Sequence, residues 1–450
     1  LNARALATIA ALCLVAAGAN AAGPFELPPA PEPPAADGPV LALADALERA
    51  RSVSPDLAVA AEKIVQADDA VAKAFRAFRP TLAANASYAR NSQQQGFPYI
   101  DSNGQGGFLY TQKSNALSAS IDANWQFFNA RAFPALANTQ DQKRVSELNA
   151  LQTRRDLLLN VCQLYLAGVQ QMALLRAAFR QSKAAREQAQ QAIARYEAGL
   201  LQRASVIKAK LDVVNADEEA ERETFALRST KSSLATLLDR HDIAFELAEA
   251  QDPAPEVKGE AQALLQQAFD ARPELAAQLL QEKIAARVRT DAWAQFFPSL
   301  SLDASARTSN ADAYPGYSSA SWALTLAISI PLYDGGFRYV QLRDGDSQER
   351  AAQAQTRAQK LKIEDELRRA LLDLESARAL RAESEQSLAT AQENEQLTRA
   401  QFEAGTATQI EVSDAEASLF QSEASLLQQK LNVQLSALQL ARAVGAFDPH

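Results

Sequence analysis

The chain has 450 residues, a net charge of −9, two histidines and two cysteines. The acidic balance argues against nucleic acid as a partner, since its binders present a basic face. His241 and His450 are too far apart to build a metal or catalytic cluster, and no phosphate-cradling glycine loop or nucleophile elbow occurs. Neither enzyme chemistry nor a cofactor is expected.

Residues 1–22 read as a signal peptide. Arg4 supplies the positive n-region, Ala5 to Ala17 the apolar stretch, and Ala19-Asn20-Ala21 the small-x-small cleavage pattern. Cys13 follows Leu12 where a lipobox needs a small residue, so it is expected to leave with the signal. Cys162 then remains alone, and the exported chain must hold together without a disulfide. Residues 23–40 are proline-rich and read as an extended arm. No other apolar run is long enough to predict a transmembrane helix.

The remainder contains itself twice. Pro55 to Pro273 and Pro80 to Pro298 share one offset of 218 residues (273 − 55 and 298 − 80). Tyr196-Glu197-Ala198-Gly199 returns as Phe402-Glu403-Ala404-Gly405 at an offset of 206. The shorter offset assigns the first copy a longer loop, over Asn91 to Lys113. The period is too long for a solenoid. The reading is therefore two repeats, 41–240 and 261–447, joined by a connector at 241–260.

Each repeat follows one plan. A helix, Leu43 to Ala77 or Ala261 to Gln295, stops at a proline that cannot continue it, Pro80 or Pro298. Strands are expected at about 80–90 and 115–128 in the first copy, and at about 298–308 and 319–333 in the second. Leu82, Ala84, Ala86 and Tyr88 alternate with polar or small residues, as do Leu117, Ile121 and Trp125, then Leu300 and Leu302, then Trp322, Leu324, Leu326 and Ile328. Strands of this length with one apolar face match a membrane barrel; a hairpin pair of a sheet with one buried face has the same pattern. Trp125, Phe127, Trp322 and Tyr333 stand toward strand ends, where an aromatic belt meets the membrane interface. Four strands cannot close around a pore, so other subunits must complete the sheet; three copies would give twelve strands.

After each strand pair comes a very long helix, about Phe133 to Glu197 and Phe337 to Glu403. At 1.5 Å per residue each reaches on the order of 100 Å. Leu151, Leu158, Tyr165, Met172 and Phe179 stand seven apart, as do Leu419, Leu426, Val433 and Leu440. Such heptads mark packed coiled-coil seams.

This plan, with the two aromatic-Glu-Ala-Gly motifs and Ile330-Pro331-Leu332-Tyr333-Asp334-Gly335-Gly336, resembles the TolC-like outer-membrane factor family over nearly the whole mature chain. The resemblance implies an α+β membrane protein: a homotrimer with a twelve-stranded outer-membrane barrel in lipid, continued by a long α-helical periplasmic barrel. It implies export from a periplasmic adaptor (membrane fusion) protein and an inner-membrane pump of the RND or ABC type. Tyr196, Gly199, Phe402 and Gly405 fall where the family reverses at its periplasmic tips and docks the adaptor. Glu411 and Asp414, three apart on a helix, match the acidic ring at the entrance of the family's namesake; six carboxylates would favour cations and raise one another's proton affinity. The sequence departs from the namesake at Phe402, Ala407 and Ser205, where a tyrosine, an arginine and an aspartate form the entrance lock. The competing reading is a non-channel periplasmic coiled-coil adaptor or envelope tether.

Overall fold

The computed structural model describes residues 27–32, 38–100, 104–248, 257–310 and 318–447. The signal peptide, with its cleavage site and Cys13, lies outside them, as do part of the arm, residues 249–256 of the connector, and His450.

Eight helices and eight strands follow in chain order among the described residues: β1 Val40–Leu41, α1 Leu43–Val53, α2 Pro55–Phe75, β2 Thr81–Arg90, β3 Gln95–Ile100, β4 Gly106–Gln112, β5 Asn115–Phe128, α3 Ala132–Glu197 and α4 Arg203–Leu237. The second half adds β6 Glu246–Leu247, α5 Ala261–Ala271, α6 Pro273–Ala294, β7 Ser299–Ser309, β8 Ala320–Ser329, α7 Phe337–Glu403 and α8 Gln409–Val444. Within their described residues two compact units form. One comprises Leu1–Ser54, Arg155–Ala261 and Glu366–His450; the other Pro55–Arg154 and Gln262–Asp365.

The single helix expected at the head of each repeat is two helices. Ser54 adopts ψ 122° and Arg272 ψ 120°, and Pro55 and Pro273 each begin a new helix. A proline ring disfavours the helical conformation of the residue before it yet suits the first helical turn, so each Xaa-Pro is a stop and a start. Pro80 and Pro298 stand immediately before β2 and β7. The chain bridges α2 to β2 through a 3-10 turn, Arg76–Phe78, and Arg79 is already extended.

The sheet unit carries one four-stranded antiparallel sheet in the order β2-β5-β7-β8. Asn91 to Lys113, expected to be a polar loop, holds a second hairpin, β3 with β4. Its Phe97, Tyr99, Phe108 and Tyr110 recur at every second position, although Leu109 and Ile100 interrupt the contrast with the other face. The last strand ends at Ser329, so Tyr333 lies beyond it and is 89% exposed. Beneath the sheet, Arg131 pairs with Asp291 at 2.7 Å, and Ala268, Leu275 and Ile363 form a small core.

In the other unit α3 and α4 approach closely along Ala185, Ala189 and Ala192 on one helix and Ala209, Val213 and Ala216 on the other. Residues at i, i+4 and i+7 share a face, and alanine there lets the backbones come near. The connector is not simply a loop: β6 pairs in parallel with β1. The Tyr165 hydroxyl, fully buried, lies 2.8 Å from the Leu41 carbonyl and 2.9 Å from that of Ala248, clasping both strands. One stretch of α3 is apolar enough by length and composition to cross a membrane, and 44% of it is buried within the chain. α3 also contributes Leu158, Val161, Cys162 and Tyr165 to the core, so part of its apolar character serves the seam. Of the heptad residues, Leu158, Tyr165, Leu426 and Leu440 are buried. The arm's described residues lie against this unit, with Arg186 donating to the Pro28 and Pro29 carbonyls at 2.7 and 2.9 Å.

Candidate functional site

Two places concentrate exposed chemistry. The first is the sheet. Its register sets apolar against apolar across every seam: Leu82 opposite Ala123, Tyr88 opposite Leu117, Trp125 opposite Leu302, Leu302 opposite Leu326 and Ala306 opposite Trp322. Because strand side chains alternate, one consistent register makes one largely apolar face, with Thr308 and the Arg90–Asn115 pair only at one end of it. That face is bare. Trp322 is 80%, Leu324 60% and Ile328 62% exposed.

The other face is polar and internally bonded. Asn85 donates to Asp122 at 3.1 Å, Ser120 donates to the same carboxylate at 2.7 Å, and Ser301 donates to Asp303 at 3.1 Å. Asn124 joins Asp303 across the β5–β7 seam. The two outer strands, β2 and β8, each have one side without a neighbouring strand in the sheet.

Trp125 lies level with the start of β7 and Trp322 with its end, so the two indoles mark opposite ends of the sheet. The Trp125 ring packs on Phe127 at 5.7 Å and its indole N–H donates to the Phe78 carbonyl at 3.2 Å. A bulge between Trp125 and Phe128 shifts the register, so that Phe128 stands opposite Leu300. Tyr88, which the belt expectation omitted, sits at the Trp322 end.

The second place is the pair of helix reversals. Gly199 at φ 76° and Gly405 at φ 78° close α3 and α7 in the same way. The Gly199 N–H reaches the Tyr196 carbonyl at 2.9 Å and the Leu200 N–H that of Arg195 at 2.8 Å. At the second turn the Gly405 N–H reaches Phe402 at 3.0 Å and the Thr406 N–H reaches Gln401 at 2.8 Å. Such paired bonds satisfy the last helical carbonyls and need a left-handed residue, which glycine supplies without strain. The Arg195 guanidinium stacks over the Phe402 ring at 4.5 Å, joining the two turns.

Beyond the turns the copies diverge. α4 starts from Gln202 with no side-chain cap. α8 starts from Thr408 in a capping box: the Glu411 carboxylate accepts from the Thr408 N–H at 2.6 Å, and the Thr408 hydroxyl oxygen accepts from the Glu411 N–H at 3.3 Å. Ser205 stands at the position in α4 that Glu411 holds in α8. Glu411 and Asp414 are both exposed. Within one chain the Thr408 N–H and hydroxyl hold the Glu411 carboxyl below the usual carboxylate range.

A polar network next to these turns joins helices that are far apart in sequence. Arg399 of α7 donates to Glu416 of α8 at 2.7 Å and pairs with Glu395 at 2.8 Å. Gln188 of α3 donates to Glu416, and Gln409 donates to Gln188 at 3.3 Å. Ser413 donates to Asp212 of α4 at 2.6 Å, which also pairs with Lys208 at 2.8 Å. Burial pushes the Glu416 carboxyl up despite Arg399, while Glu416 raises the Arg399 guanidinium. Sequence reasoning did not find this network, because Gln188 and Glu416 are 228 residues apart. The capping box alone was legible, as Thr408-x-x-Glu411.

Comparison with known proteins places this geometry. The family model for outer membrane efflux proteins matches residues 46–239 and 264–446. The outer membrane protein TolC of Vibrio cholerae is 24% identical over 422 residues, covering 90% of this chain and 91% of that protein. The crystal structure of the outer membrane protein VceC, also from Vibrio cholerae, superposes with a TM-score of 0.73 at 20% identity, covering 90% of this chain and 96% of VceC. A membrane protein from Pseudomonas aeruginosa superposes at 0.76 and 21% identity, covering 94% of this chain and 100% of that one. The chain belongs to the outer membrane efflux protein family. It is an efflux channel protein of the outer membrane, extending into the periplasm, and the adaptor or tether reading falls away.

Proposed function

We propose that three copies join their sheets into a twelve-stranded barrel in outer-membrane lipid, and that the long helices continue it as a helical barrel across the periplasm. The observation that carries this reading is the four-stranded sheet with two open edges and one bare apolar face, charged only at Arg90 on its rim. In hydrocarbon an unpaired strand edge has no water to satisfy it, so the edges must be met by further strands. Strand direction alternates across β2-β5-β7-β8, so β8 of one copy meets β2 of the next antiparallel. The polar face, with Asp122 and Asp303, then lines the lumen. Trp125, Phe127, Trp322 and Tyr333 supply the interfacial belts.

In this reading residues 1–22 are the signal peptide and 23–40 the arm. Residues 41–240 and 261–447 are the two efflux repeats on either side of the 241–260 connector. The turns at Tyr196 to Gly199 and Phe402 to Gly405 dock a periplasmic adaptor, which couples the channel to an inner-membrane pump of the RND or ABC type. Glu411 and Asp414 of three copies ring the entrance and favour cations. The protein moves solutes and performs no catalysis of its own.

The test is the mass of the purified mature protein in detergent together with conductance in planar bilayers. A trimer with discrete channels is expected. A monomer without conductance would show that the sheet does not close in this way.

A further inference from the structure

Between α3, α4 and the residues leading into β6 lies a groove of about 750 Å3. Leu175 and Leu227, both buried, form its floor, and Met172, Phe179 and Ile243 its walls. Cations stand along both rims. Arg176, Arg180 and Lys183 follow one face of α3 at i, i+4 and i+7, and Arg228 and Lys231 follow α4 at i and i+3. Glu246 is the one carboxylate among the described lining residues. In a chain of net charge −9 this is a local reversal of sign.

Positive charge exceeds negative along the lining, five cations to one carboxylate, Glu246, which acts on Lys231. Arg180 reaches outward to Glu423, while Arg228 and Lys231 lie over the rings of Phe225 and Phe245 at 5.6 and 5.7 Å. Burial lowers the Lys231 pKa, so its charge is held at the edge of an apolar trough with incomplete hydration. The volume falls in the range of small-molecule sites, which are apolar in the main with a few convergent polar groups.

We propose that this groove binds an amphipathic monoanion, a carboxylate carried on an alkyl or aromatic body. The head lies between the α3 and α4 cations, where its charge compensates theirs in a partly dry setting. The body covers Leu175, Phe179 and Leu227. A hydrophilic anion would leave that floor wet, and a neutral amphiphile would leave the excess positive charge of the lining unmatched. Both arguments select the same ligand class.

The experiment uses the mature protein in lipid nanodiscs and a diazirine-bearing derivative of dodecanoate, with labelled positions mapped by mass spectrometry. Label is expected on Met172–Lys183 and Thr224–Lys231. It should fall by about tenfold or more for the corresponding dodecanol probe, and by as much in a Lys183→Gln, Arg228→Gln, Lys231→Gln variant that retains its assembly mass. Equal labelling by acid and alcohol, or label confined to the sheet strands, overturns the proposal. The comparison of acid with alcohol on the unaltered protein stands even where the variant misfolds. Acetylation of Lys183 and Lys231 is the second readout. Both should react freely without probe and be protected by dodecanoate. Lysines already inert without probe would mean that a protein segment covers the groove, and the proposal fails.

Discussion

Glu411 serves two roles that substitution can separate. As the third helical residue after Thr408 it completes a capping box, and a glutamine can still accept from the Thr408 N–H. As an exposed carboxylate it contributes charge beside Asp414. Glu411→Gln with Asp414→Asn is therefore expected to reduce cation preference in single-channel recordings while leaving the first turn of α8 protected from hydrogen exchange. Glu411→Ala should fray that turn as well. Unchanged selectivity in the double variant would leave both carboxylates as a solvated face. Glu416 responds to pH with the opposite sign. Its carboxyl is raised by burial, so the stability that the proton confers is present below the ordinary carboxylate range and is lost as pH rises through the raised value. Glu416→Gln should therefore increase amide protection around residues 412–420 at pH 7 and change little at pH 4. Lower protection at pH 7 would mean that the bond from Arg399 outweighs burial.

At the scale of elements, the strands were the most legible part, because a period of two over ten or more residues leaves few alternatives. Leu324 and Thr325 show what that alternation implies. Leu324→Arg places charge near the middle of the apolar face, a cost of about 2–4 kcal/mol in a bilayer. It is expected to lower the heat-modifiable, membrane-inserted fraction. Thr325→Arg points to the other face, opposite Asp303, and should insert normally. If Thr325→Arg is the damaging change, the faces have been assigned the wrong way round. The head-of-repeat helices were misjudged for a physical reason. Apolar periodicity continues across Ser54-Pro55 and Arg272-Pro273, so the pattern looks like one helix while the proline ring divides it. The hairpin at 95–112 was missed because glycine and glutamine dilute its alternation. The turns were legible through Gly199 and Gly405, whereas the Gln188–Glu416–Arg399 network depends on side chains brought together only by the fold.

For the whole molecule, duplication made the architecture legible: two aromatic-Glu-Ala-Gly motifs at one offset predicted two equivalent reversals, and two chemically matched reversals are present. The halves are not independent, however. The middle seam of the sheet joins β5 of the first to β7 of the second. A chain truncated after residue 248 is expected to retain α3 and α4 helicity by circular dichroism yet yield no detergent-stable oligomer. Channel activity from that fragment would mean that the first half closes a sheet alone.

The β5–β7 seam also sets a waiting time. β5 is complete at Phe128 and its partner begins at Ser299, so the strand must wait while residues 129–298 are made. At about 5–20 residues per second that is roughly 10–30 s. Throughout it, a nascent amphipathic hairpin has hydrogen-bonding groups along an open edge and an apolar face without lipid. Such a segment is prone to aggregate until the second hairpin arrives, so the separation of the two hairpins in sequence sets the length of the exposed interval.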